Sequence, residues 1–184
     1  MFTQSSRAGR SNEAEGVAGT AHECVIKMSE EMRRDERSMS ACEMEKLLHD
    51  APAGRLGTCV DSEPYVVPLN FIYYDGRIFF HCAQKGKKLD CIARNQRVCF
   101  EVDEFIGVKD SSEPCSMSTH YRSVIVSGEA KIIEDMDRKG EILKELVCKY
   151  AKRNVDASIG KADLRRVAVV EISVKAMTGK QNLH

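Results

Sequence analysis

Apolar positions along this chain follow two rhythms, every second residue or every third to fourth, and the places where one gives way to the other predict its elements. Ser40-Ala41-Cys42-Glu43 has capping-box spacing and opens a helix over about 41–50, which Ala51-Pro52-Ala53-Gly54 stops. Arg55–Val60 then reads as a strand, Asp61-Ser62-Glu63-Pro64 as a turn, Tyr65–Tyr74 as a second strand, Asp75-Gly76 as a two-residue hairpin turn and Arg77–Cys82 as a third strand. A short helix over about 87–95 carries Leu89, Ile92 and Ala93 on one side, and Val98, Phe100 and Val102 alternate in a fourth strand. Residues 105–119 lack either rhythm and read as a long loop. A fifth strand over about 120–133 sets Val124, Val126, Gly128, Ala130 and Ile132 on one face. Met136–Lys152 is an amphipathic helix with Ile142, Leu143, Leu146, Val147 and Tyr150, residues 153–165 form a polar connection, and Arg166–Lys175 is a last strand with Ala168, Val170, Ile172 and Val174 inward. The expected fold is mainly β with flanking helices, a six-stranded antiparallel barrel, closed or partly open.

Residues 1–28 are rich in Gly, Ser, Ala and mixed charge and keep no period, so they read as a flexible extension before one domain over 29–184. At 184 residues the chain can bury an ordinary core, and 28 basic against 28 acidic residues leave no net charge to attract nucleic acid or anionic lipid. Any anion site must be local. No apolar run approaches the roughly 20 residues of a membrane helix, and the first 28 residues lack a secretory apolar core, so a cytoplasmic protein is expected. Cys59, Cys82, Cys91, Cys99 and Cys148 lie in apolar or alternating stretches without metal-ligand spacing, and read as reduced, buried thiols with no metal site.

The chain holds no nucleophile elbow, phosphate-binding P-loop, dinucleotide turn or zinc-protease helix. Eight of its 11 aromatic residues fall between Tyr65 and Phe105, a concentration that suits a barrel core. Lys85, Gly86, Lys87 and Lys88 fall between a strand and the first turn of a helix. There, backbone N–H groups, the helix dipole and added charge make an anion site, a phosphate above all, as good a reading as a solvated turn.

Arg55-Leu56-Gly57-Thr58, Pro64-Tyr65-Val66-Val67-Pro68-Leu69-Asn70-Phe71, Ile78-Phe79-Phe80-His81, Lys85-Gly86-Lys87-Lys88-Leu89 and Val98-Cys99-Phe100-Glu101 follow one another in this order. The series resembles the FMN-binding split-barrel superfamily, and within it the nitroimidazole-resistance branch related to pyridoxamine 5'-phosphate oxidase. Cys115-Ser116-Met117-Ser118-Thr119-His120-Tyr121-Arg122-Ser123-Val124 with Gly128, and Thr178-Gly179-Lys180, are similar to that branch's later motifs. The resemblance spans about residues 32–181.

This resemblance implies a homodimer with two FMN molecules at its interface, each held mainly by one subunit and covered by the other. It implies that Val66, Val67, Pro68, Leu69 and Asn70 run along the isoalloxazine ring, with His81 and Cys82 beside the cofactor. Lys85, Gly86, Lys87 and Lys88 would hold its phosphate, and Tyr121 and Ser123 would also contact the cofactor. NAD(P)H would be the electron donor and a small electron-poor molecule such as a nitroimidazole the acceptor. His81 is the expected proton donor, on the strand face it shares with Phe79. The arginine pattern with which pyridoxamine phosphate oxidases hold substrate phosphate is missing after Lys175, so that activity is not expected. Two other readings stand beside this one: a haem-binding split barrel with His81 or His120 on iron, and a non-catalytic flavin-binding protein.

Overall fold

The computed structural model describes residues 34–151 and 159–183. The predicted extension over 1–28 lies outside them. Helix α1 (Ala41–Asp50) starts as its capping box predicts: Ser40 Oγ accepts from the Glu43 N–H at 3.3 Å, and Glu43 Oε2 accepts from the Ser40 N–H at 2.8 Å. Met44, Leu47 and Leu48 form its buried face. The strands are β1 (Gly54–Val60), β2 (Glu63–Leu69), β3 (Ile72–Tyr74) and β4 (Arg77–Ala83), then β5 (Arg97–Lys109), β6 (Ser118–Ile132) and β7 (Val167–Asn182). Helix α2 (Lys87–Arg94) joins β4 to β5, while α3 (Met136–Tyr150) and the short α4 (Lys161–Leu164) lie between β6 and β7.

These strands form one antiparallel sheet in the order β2-β1-β5-β6-β7-β4-β3, an open split barrel with β2 and β3 at its two edges. Among the described residues it has seven strands where six are expected. The predicted strand Tyr65–Tyr74 breaks at Asn70–Phe71, so its two parts pair with opposite ends of the sheet. The predicted loop over 105–119 shrinks to residues 110–117, because β5 continues through a bulge between Phe105 and Gly107 and pairs with β6 as far as Lys109↔Ser118. Phe105, Ile106 and Val108 are all exposed, which erases the alternation by which a strand is recognised. The last strand runs on to Asn182 rather than ending at Lys175, and the connection before it contains α4. The turn before β2 is only Asp61-Ser62, both at positive φ, with Val60 opposite Glu63; Pro64 is tolerated because β2 is an edge strand. Asp75-Gly76 forms the expected hairpin turn, with φ of 51° and 68°.

Two cores result. Leu56, Phe71, Ile78, Phe80, Phe100, Val126 and Ile172 fill the concave side of the sheet, which α1 and α2 close. On the outer side, Ile142, Leu143 and Leu146 of α3 pack on Ile72, Phe79 and Val169, each such burial being worth about 1.5–3 kcal/mol. In β7 this buries both faces, Glu171 included, which pairs with Arg77 at 3.0 Å and Lys131 at 3.2 Å. At the end of β6 Ile132 is exposed, contrary to the expected face, and Ile133, just past the strand, is buried instead. Gly179 is a close-approach point: a Cβ there would stand 2.4 Å from Met44.

The cysteines are less buried than their sequence neighbourhoods predict. All seven described cysteines are free thiols, but Cys59, Cys99 and Cys148 are exposed and Cys82 and Cys91 only half-buried. Cys59 and Cys99 sit on strand positions that face outward, where an apolar neighbourhood in sequence does not mean burial.

Candidate anion and cofactor site at the β4–α2 junction

Strand β4 delivers the chain to this site in alternating fashion. Ile78 and Phe80 enter the concave core, half-buried Cys82 follows them, and Phe79 and His81 take the opposite face. His81 is exposed and stands opposite Val169 of β7. Burial pushes the Cys82 thiol above its ordinary pKa, opposed by the nearby Lys88 ammonium.

Gly86 begins α2 at φ 145° and ψ 161°, a backbone state that is essentially glycine's own. Its carbonyl accepts from the Leu89 N–H at 2.9 Å and the Asp90 N–H at 3.2 Å, and no described residue lies within 4 Å of where a Cβ would stand. Among the described residues no side chain caps this helix. By contrast, Ser40 caps α1, and Asp135 caps α3 by accepting from the Arg138 N–H at 2.7 Å. The first-turn amides of α2 therefore lack the side-chain acceptor that the other two long helices carry. Lys85 and Lys87 are exposed, Lys88 is half-buried, and none of the three forms an ion pair among the described residues.

Helix α2 runs beside the β1–β2 hairpin. Lys87 Nζ lies 4.7 Å from the centroid of the Tyr65 ring, Arg94 pairs with Asp61, and Asn95 Nδ2 donates to the Cys59 carbonyl at 2.9 Å. The lysine loop and β2 thus share one corner of the fold. Along β2 the side chains divide: Val67 and Leu69 pack on the core, while Val66, 62% exposed, and Pro68 face outward. Asn70 is exposed at the break between β2 and β3. Of the five residues expected along a flavin ring, only Val66, Pro68 and Asn70 present side chains outside. Val67 and Leu69 could contribute backbone.

Tyr121 and Ser123 do not join this corner within one chain. They lie on β6, three strand spacings from β2, or about 14 Å. Tyr121 stands opposite Phe105, which is 65% exposed, and Ser123 opposite Asp103. Arg55, whose role sequence reasoning missed, links this region to β1 by donating to Glu101 at 2.9 Å and to Asp103. Burial raises the Glu101 carboxyl pKa, against the lowering pull of Arg55. A groove of about 780 Å³ opens on the outer face between Pro64 and Val66 of β2, Cys59 of β1, Cys99 of β5 and Lys175 of β7, separate from the lysine loop.

The open seven-stranded sheet with flanking helices is that of the flavin-binding split barrels, and the chain belongs to the pyridoxamine 5'-phosphate oxidase family, whose model matches residues 40–181. It is similar to the crystal structure of a candidate 5-nitroimidazole antibiotic resistance protein of Bacteroides thetaiotaomicron, with 30% identity, a TM-score of 0.67 and coverage of 78% of this chain and 85% of that one. A FAD-binding protein of Mesorhizobium loti is 25% identical, with a TM-score of 0.61 over 79% of this chain and 97% of its own. The flavocytochrome Anf3 of Azotobacter vinelandii shares the fold at 21% identity, with a TM-score of 0.73 over 83% of this chain and 72% of its own. Among curated proteins, an uncharacterised protein of Rhizobium meliloti, RA0666, is 26% identical over 92 residues, 50% of this chain and 54% of that protein's length.

Proposed function

We propose that this chain is an FMN-binding oxidoreductase. The observation that carries the reading is the start of α2: an uncapped first turn, a glycine with free space around it, and Lys85, Lys87 and Lys88 without ion-pair partners among the described residues. That chemistry suits a phosphate monoester, which takes N–H donors and positive charge together. These residues fit a flavin phosphate; on this reading Val66, Pro68 and Asn70 with the edge of β2 would lie along the ring, and Cys82 would also contact the cofactor.

Bound flavin would supply electron exchange between NAD(P)H and a small electron-poor acceptor, and the likeness to the Bacteroides protein favours a nitroimidazole. The chain's own tasks are to hold the phosphate, to lay an apolar strand along the ring and to keep water from it. His81, exposed on the outer face, is the side chain proposed to deliver a proton to the reduced acceptor. Tyr121 and Ser123 would act on the flavin of a second copy, since about 14 Å of sheet separates them from β2 of their own chain. Homodimerisation thereby completes the site.

The direct experiment is the absorbance spectrum of the purified protein with and without added FMN. Flavin bands that saturate with stoichiometric FMN support the proposal. A Soret band in its place would favour haem on His81 or His120, and stoichiometric flavin without nicotinamide turnover would favour a non-catalytic carrier.

A further inference from the structure

The break between β2 and β3 leaves Phe71 fully buried yet outside every strand, so its backbone needs partners from elsewhere. They come from Tyr150, the last residue of α3 and 79 positions away. The Tyr150 hydroxyl accepts from the Phe71 N–H at 2.9 Å and has the Phe71 carbonyl at 2.9 Å and the Pro52 carbonyl at 3.0 Å as acceptors for its one proton. The Phe71 ring is held as well, edge-on to Phe100 at 4.8 Å and beneath Lys149 Nζ at 4.2 Å. Burial raises the Tyr150 pKa, so the hydroxyl keeps its proton at neutral pH.

The Phe71 N–H belongs to the Asn70–Phe71 peptide. Because that peptide is planar and trans, fixing its N–H fixes its plane and turns the Asn70 carbonyl away from Tyr150. Asn70 itself is exposed. We propose that Tyr150 is a positioning residue for the cofactor strand: by holding both backbone groups of Phe71 it sets the direction in which Asn70 is presented to the flavin ring. The inference rests on the reading that Val66–Asn70 runs along that ring.

The test compares FMN and riboflavin binding, by quenching of flavin fluorescence, in the parent, Tyr150→Phe, Asn70→Ala and the double variant. Tyr150→Phe keeps the ring and removes only the hydroxyl. A fault in ring placement weakens FMN and riboflavin alike, unlike a fault at the phosphate, and the expected loss is about five- to twentyfold for both. In the Asn70→Ala background Tyr150→Phe should add nothing further. If Tyr150→Phe lowers the melting temperature but binds both flavins as tightly as the parent, the hydroxyl is only structural and the proposal is overturned. If the parent binds neither flavin, the underlying cofactor reading fails instead. Should Tyr150→Phe not fold, 3-fluorotyrosine at position 150, which retains ring and hydroxyl but changes the hydrogen bond, carries the same comparison: unchanged affinity for both flavins overturns the proposal.

Discussion

Lys87 Nζ stands 4.7 Å from the centroid of the Tyr65 ring, so the first turn of α2 is tied to the edge strand on which a flavin ring is proposed to lie. The contact orients an exposed lysine that has no carboxylate partner among the described residues. Tyr65→Leu should weaken FMN by about two- to fivefold, the size of an exposed cation–π contact, while Tyr65→Phe changes little. Riboflavin titrations should not distinguish the three proteins. Equal FMN affinity in all three would show that the ring does not order the lysine.

At His81 the expected result separates binding from chemistry. His81→Ala should retain FMN and its reduction by nicotinamide, but lower reduction of a nitroaromatic by about 10²–10⁴-fold. Stopped-flow measurement of each half-reaction decides it. If reoxidation by the nitroaromatic keeps the parent's rate, His81 holds no catalytic role.

Much of the local architecture was legible because its cause is local. The Ser40–Glu43 capping box and the Asp75-Gly76 turn each need only neighbouring residues, and both stand where the pattern puts them. The extensions of β5 and β7 were hidden for the opposite reason. Phe105, Ile106 and Val108 face solvent in a single chain, and Lys180 and Gln181 pair with β6 through backbone that carries no apolar signature. At the Asn70–Phe71 break the backbone of Phe71 finds its partner in a tyrosine 79 residues away, which no window along the chain can contain. The lysine loop could be read because strand, glycine and helix follow each other directly. The Tyr65–Lys87 contact and the Arg55 bridge to Glu101 and Asp103 come only with the fold.

Lys149 predicts an unusual pH dependence of stability. Burial lowers its pKa from the ordinary 10.5 to about 8, outweighing the opposite pull of Asp50, and its Nζ has no hydrogen-bond partner among the described residues. Below about 8 both folded and unfolded chains carry the charge and the folded one bears its desolvation. Between about 8 and 10.5 the unfolded chain binds the proton that the folded chain has released, so this group's contribution to stability rises with pH. Lys149→Met should therefore raise the urea midpoint at pH 7, with an advantage that shrinks by about pH 10. An advantage equal at both pH values would contradict this account.

The outer face carries Val66 at 62%, Phe105 at 65% and Ile125 at 47% exposure, apolar surface that the proposed two-fold contact would cover. Sedimentation at micromolar concentration should give about twice the 20.6 kDa chain mass, and Phe105→Glu should shift the protein toward monomer with loss of flavin. A parent monomer that holds FMN would refute the shared site.

The central claim is that a flavin phosphate is held by the Lys85–Lys88 loop at the start of α2. Calorimetric titration of FMN and of riboflavin into the parent and into the Lys85→Ala/Lys87→Ala variant tests it most directly. Each charge-assisted contact is worth about 1.5–3 kcal/mol, so the variant should lose at least about 100-fold in FMN affinity and almost nothing for riboflavin. Unchanged FMN affinity in the variant, or an equal loss for both ligands, would contradict the account.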